Sequence, residues 1–228
     1  MKTMIEGYTS FPGEHCGSVA MGGLLNHYCG LELPEAAVFG LGSGASCAYL
    51  SGGPLDPSAM VAGRTSHMEQ DLATNLQLDY REQAEVTDFL AKRLSEAEAG
   101  PIEASIGIPG IRAFANDVQG WQTRDDAQNL AGFNASCIEK FGNGGGNFRR
   151  LYAGFLSWAA ELDSSLVPAK APGLCVEAAD GWTGISNALF AASKDPSDPE
   201  PWKNASLGAA RVVDIEERLF GMLAEAAG

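Results

Sequence analysis

The chain has 228 residues, with 29 acidic residues against 15 basic ones and a formal net charge of −14. That balance excludes an electrostatic nucleic-acid surface, which must neutralise several phosphates. Hydrophobic content of 45% and charged content of 19% fit an ordinary globular protein with length for a substantial core. No stretch approaches the ~20 apolar residues of a membrane helix.

Residues 1–12 read as a leader or short edge strand without an apolar signal core, so the cytoplasm is the expected compartment. The five cysteines, at 16, 29, 47, 137 and 175, are odd in number and form no CxxC pair. Neither a zinc site nor a disulfide framework is expected.

Pro12-Gly13-Glu14-His15-Cys16-Gly17-Ser18 is the stretch with the most chemistry. An apolar helical run over 17–29 follows it at once, which sets Cys16 near a helix N-terminus. There the unpaired N–H groups and the helix dipole favour thiolate over thiol. Such a cysteine is a candidate nucleophile, or else a small apolar packing residue. Gly30 ends this helix, and Pro34 precedes a helical turn over 35–39 that should pass into a buried strand.

Gly40-Leu41-Gly42-Ser43-Gly44 lacks the spacing of a nucleotide loop, so Gly42 and Ser43 are expected to shape the mouth of the Cys16 site. A second strand is expected over 46–50, a helix over 66–76, a short strand over 79–86 and a charged helix over 90–99. From 106 onward nearly everything reads as helix: around Ile111–Val118, then 125–141, 148–162, 175–193 and 207–226, with a loop over 194–201. Three glycines, 144–146, precede Asn147 and Arg149 at a helix start. They read either as an anion cradle with Arg149 near the ligand or as a close-packed turn.

The run from Gly13 to Ser18, then Leu24-Leu25-Asn26-His27-Tyr28, Pro34-Glu35-Ala36 and Phe39 to Gly44, resembles the N-terminal domain of the butirosin-biosynthesis protein H family. Gly144-Gly145-Gly146-Asn147-Phe148-Arg149-Arg150-Leu151-Tyr152 resembles the helical domain that often follows it. The resemblance implies a papain-like fold and an acyltransferase of natural-product metabolism. Such an enzyme moves an acyl or aminoacyl group from a carrier-protein thioester, through a Cys16 thioester, to an amine.

The strand-rich segment that would hold the family's histidine has no counterpart here, which leaves His67 and His15 as candidate bases. His27, about three turns down the first helix, is too far along its axis. Glu14, Ser18, Arg64, Asn147 and Arg149 complete the candidate substrate contacts. Glu14 would meet the amine, Ser18 would help hold an oxyanion, and the glycine run would receive the phosphopantetheine of a carrier protein. No resident cofactor is expected.

A non-catalytic binding relative and a cysteine-dependent amide hydrolase are the alternatives. The expected architecture is α+β: a shortened cysteine-bearing domain over 1–88 with a small sheet, and a helical domain over 89–228. Exposed sheet edges suggest a homodimer.

Overall fold

The computed structural model describes residues 6–10, 12–42, 45, 47–52, 55–63 and 102–227. Two helices come first, α1 (Cys16–Cys29) and α2 (Glu35–Leu41), then strands β1 (Ala48–Gly52), β2 (Ala59–Ala62) and β3 (Ile102–Ile106). The rest is α3 (Ile108–Asp117), a 3₁₀ segment (Val118–Thr123), α4 (Ala127–Glu139), α5 (Arg149–Leu162), α6 (Ala171–Lys194) and α7 (Pro199–Ala227). The fold is α+β with a helical C-terminal part.

The sheet has the order β2-β1-β3, and β1 is antiparallel to both neighbours. Strand period two sends Cys47 and Tyr49 of the central segment, and Ala59 and Val61 of β2, to one face. All four are buried there with Ile111, Phe114, Trp121, Leu130 and Trp182 from the helices. The aromatic rings stack in sequence: Phe114 lies 5.5 Å from Trp121 and 6.4 Å from Trp182, and Tyr49 lies 6.4 Å from Trp121. The expected boundary between 88 and 89 lies outside the described residues, and the described parts on either side of it share this core.

The outer edge of β2 is closed by a side chain. The buried amide of Asn134, on α4, accepts from Val61 N at 2.6 Å and donates to the Ala59 carbonyl at 3.1 Å. Asp126 similarly accepts from Ser58 N at 2.7 Å. These contacts occupy part of the edge that the expected dimer would have used.

Three expected elements need correction. Residues 35–39 do not pass into a strand: Ala37, Val38 and Phe39 stay in the helix α2, which ends at Gly42. The reason is packing. Gly40 lies so close to α5 that a Cβ there would sit 1.8 Å from the Phe155 ring, so a helix surface docks where a strand was expected. The sheet also gains β3, where the sequence read only a change of character. Last, the loop expected over 194–201 is present but shorter, 195–198, because α6 runs to Lys194 and α7 already starts at Pro199. The helix and strand expected over 66–76, 79–86 and 90–99 lie outside the described residues.

Candidate functional site

Cys16 is the first residue of α1 and is exposed. As the first two helical positions, Cys16 and Gly17 present N–H groups that have no partner inside the helix. His15 is the N-cap: it is extended, and its Nδ1 accepts from Ser18 N at 3.1 Å and meets Ser18 Oγ at 2.9 Å. That geometry leaves the ring proton on Nε2. The ring is also held edge-on by Phe39 at 5.7 Å and Phe148 at 5.8 Å, which stack on each other at 5.6 Å. His15 thus acts as a cap and a packed aromatic ring, and Ser18 is buried on it rather than facing Cys16 as an oxyanion donor.

The loop ahead of Cys16 is fixed from two sides. Glu35, the first residue of α2, places its carboxylate on the backbone N–H groups of Glu14 and His15. The backbone and Cβ of Glu14 lie against the glycine run, where Cβ atoms built on Gly142 and Gly144 would come within 3.6 Å and 3.3 Å of it. Glu14 is exposed beside Cys16. Further along, Asn26 exchanges two hydrogen bonds with the Leu33 backbone, which fixes the turn between α1 and α2.

The glycine run does not offer its N–H groups to a ligand. Gly145 N donates to Asn143 Oδ1 at 2.9 Å, Gly146 N to Glu139 Oε1 at 2.9 Å, and Asn147 N to the Ile138 carbonyl at 2.9 Å. Five successive residues from Gly144 to Phe148 take positive φ, between 51° and 78°. A left-handed turn of this length is costly for the two non-glycine members. It is held because Gly146 packs directly on Ala179 of α6, where a Cβ would meet the Ala179 carbonyl oxygen at 2.9 Å. The turn carries Phe148 to His15 and drives Arg149 inward.

Arg149 lies in the interior, where it forms a bidentate pair with Glu216, 2.8 Å at both contacts. It also donates to the Asn147 carbonyl at 2.8 Å and sits over the Trp182 ring. The Asn147 side chain is fully buried, and among the described residues no acceptor or donor meets it with good geometry. Its amide approaches the Cys47 thiol, and Asn147 Oδ1 lies 2.6 Å from where a Cβ on Gly63 would stand. Burial pushes the Cys47 thiol up to about 12, against the opposing pull of Arg149. Cys175 and Cys137 are likewise raised by burial, to about 12 and about 11.

Gly63 has a further consequence for the site. A Cβ there would come within 2.1 Å of the Phe148 ring, whose edge-on partner is His15. The chain therefore leaves the described part of β2 within one ring's width of the Cys16 loop. Ser43, Arg64 and His67 lie outside the described residues. Gly42 caps α2 through its N–H to the Val38 carbonyl. Among the described residues no group of three or more His, Cys, Asp or Glu side chains could hold a metal ion, and no helix is long and apolar enough to cross a membrane.

Sequence reasoning placed Glu35 in the family-like run and at a helix start but gave it no part in the site; an acid there by itself reads as a favourable dipole contact.

The pattern of the family described as "Domain of unknown function (DUF4872)" matches residues 65–223, well over half of the chain. The chain belongs to this family. Residues 15–98 match "Butirosin biosynthesis protein H, N-terminal", and that match begins at the N-cap of the Cys16 helix. The two matches overlap over 65–98. No curated protein and no solved structure matches the chain.

Proposed function

We propose that this protein is a cysteine-dependent acyltransferase of natural-product biosynthesis. The observation that carries the reading is the exposed Cys16 thiol at the first position of α1, beside two N–H groups without helical partners. The match to the butirosin-biosynthesis N-terminal domain over 15–98 supports the metabolic setting.

In the proposed reaction the Cys16 thiolate attacks the carbonyl carbon of an acyl thioester on a carrier protein's phosphopantetheine. The Cys16 and Gly17 N–H groups face the oxygen that becomes negative in the tetrahedral intermediate. Collapse breaks the original C–S bond, and the pantetheine thiolate leaves and takes up a proton. The amine of an acceptor then attacks the Cys16 thioester, forms the amide, and returns the thiolate after losing its proton to a base.

His67 is the base in this proposal. It follows Gly63 by four residues, a reach of up to ~13 Å, and Gly63 lies against Phe148 beside His15. His15 Nδ1 accepts from Ser18 N, which supports His67 over His15 as the base. Glu14, exposed ahead of Cys16, would attract a cationic amine. Arg64, Gly42 and Ser43 are the remaining candidates for substrate contact.

The test is intact-protein mass spectrometry after incubation with acyl thioesters of N-acetylcysteamine or pantetheine. An acyl adduct on Cys16, absent in Cys16→Ala and discharged by amines faster than by water, is the expected result. Discharge by water alone points to the hydrolase, and no adduct with any thioester overturns the acyl-enzyme route.

The binding-protein reading has one specific observation in its favour. His15, the histidine next to the thiol, is turned onto Ser18.

A further inference from the structure

Two helices start at the same place. Glu35 opens α2, and its carboxylate crosses to the loop that opens α1. Oε1 accepts from Glu14 N at 2.9 Å and from His15 N at 2.6 Å, and Oε2 accepts from Glu14 N at 3.1 Å. Two successive backbone N–H groups converging on one carboxylate form an anion nest. Here the nest is filled by the protein's own side chain.

We propose that Glu35 is a positioning residue for Cys16, fixing the attacking loop through the Glu14 and His15 amides. This rests on Cys16 being the nucleophile.

Two observations carry it. First, the contact is close along the whole loop: a Cβ on Gly13 would stand 2.6 Å from Glu35 Oε2 and 2.3 Å from Val19 Cγ2. Only glycine lets the chain pass between the carboxylate and α1. Second, His15 is tied through both ends, its N–H to Glu35 and its ring to Ser18, so the direction in which Cys16 leaves the cap follows from Glu35.

Substitution tests the role. Glu35→Gln keeps an acceptor oxygen for the amides, and Glu35→Ala removes it. The readouts are acyl loading of Cys16 and its alkylation rate with iodoacetamide at neutral pH, using the exposed Cys29 as internal control. Circular dichroism reports whether each variant is folded.

Acyl loading should survive in Glu35→Gln and fall by about tenfold or more in Glu35→Ala, because misplacement alone has that effect on a reacting group. Cys16 alkylation relative to Cys29 should stay as in wild type in Glu35→Gln and change in Glu35→Ala. Equal acyl loading in wild type and a folded Glu35→Ala overturns the positioning role. Should wild-type Cys16 accept no thioester while Glu35→Ala still changes its alkylation relative to Cys29, the positioning role stands and the acyltransferase reading fails.

Discussion

The Glu216 carboxylate faces the Arg149 guanidinium in two parallel contacts of 2.8 Å each, with both side chains 2% exposed. Trp182 adds its indole N–H to the same carboxylate at 2.9 Å, and Arg149 covers that indole ring. Glu216 comes from the middle of α7, Trp182 from α6 and Arg149 from the first turn of α5, so one pair joins three helices. Breaking it from one side leaves a buried charge alone. Arg149→Met and Glu216→Leu should each destabilise by about 3–5 kcal/mol. The double replacement Arg149→Met with Glu216→Leu should cost less than the sum, because neither stranded charge remains. Urea unfolding of the four proteins closes the cycle.

Asn134 makes a similar case for backbone groups. Its replacement by Leu fits the apolar surroundings but strands Val61 N–H and the Ala59 carbonyl inside the protein. Each buried orphan costs about 1–3 kcal/mol, so Asn134→Leu should lose about 2–6 kcal/mol by denaturant unfolding. Asn134→Asp keeps the acceptor for Val61 and loses the donors, so its unfolding free energy should fall between the two.

These two sites show what the sequence could and could not express. The 3.6-residue periodicity of residues 148–162 and 175–193, and the Gly30 stop, translate directly into α5, α6 and the end of α1. Cys16 at a helix start was legible for the same reason, since small residues followed by an apolar run define a helix N-terminus locally. Residues 35–39 misled because a short apolar run has no period of its own, and only the Gly40–Phe155 contact makes it a helix. For Arg149 the sequence left two readings, a ligand contact or a close-packed turn with Arg149 in a structural ion pair, and the second is what forms. Its partner lies 67 residues away, and no local pattern names a partner at such a distance. The role of Glu35 was not legible on the same ground: its carboxylate is spent on a loop 20 residues earlier.

The thiols divide into two classes. Cys16 and Cys29 are exposed, whereas Cys47, Cys137 and Cys175 are buried. Native alkylation should label the first two and spare the other three until urea opens the fold. Burial lifts the three buried thiols from 9.0 to about 12, about 11 and about 12. A raised folded value means that the folded state keeps its proton where the unfolded state has lost it. Their contribution to stability is therefore complete below pH ~9 and declines as pH rises toward 11–12. Tyr49 is shifted the same way, first by burial and then by the hydrogen bond it donates to Asp117. Urea midpoints should fall steeply on the alkaline side, and Cys47→Ala should make that fall shallower.

Asp117 governs the opposite end of the pH range. Burial pushes its carboxyl up, but hydrogen bonds from Tyr49 and Trp121 and the nearby Arg124 outweigh it and hold it below its usual value. A depressed folded value gives stability that is present above the unfolded carboxylate range and lost as pH falls through the folded value. Asp117→Asn should therefore lower stability at neutral pH and flatten the acid limb of the urea midpoint below pH ~4. An acid limb as steep as that of wild type would mean that other carboxylates set it.

His15 allows capping to be separated from catalysis. Its Nδ1 takes the Ser18 N–H, the third helical donor, in the way an Asn or Ser side chain caps a helix. His15→Ala removes the cap and should cost about 1 kcal/mol for that contact, with a further loss where Phe39 and Phe148 no longer have an edge-on partner. His15→Asn restores an oxygen acceptor of good capping geometry but has no group that titrates near neutrality. With Cys16 as nucleophile and His67 as base, His15→Asn should keep most of its acyl loading, whereas His67→Ala should lose it. Thermal unfolding of His15→Asn should also lie closer to wild type than that of His15→Ala. If loading instead disappears in His15→Asn and persists in His67→Ala, the base is the capping histidine itself. Its ring would then have to leave Ser18 when substrate arrives, and Ser18→Ala, which removes the hydroxyl contact to Nδ1, should speed the reaction.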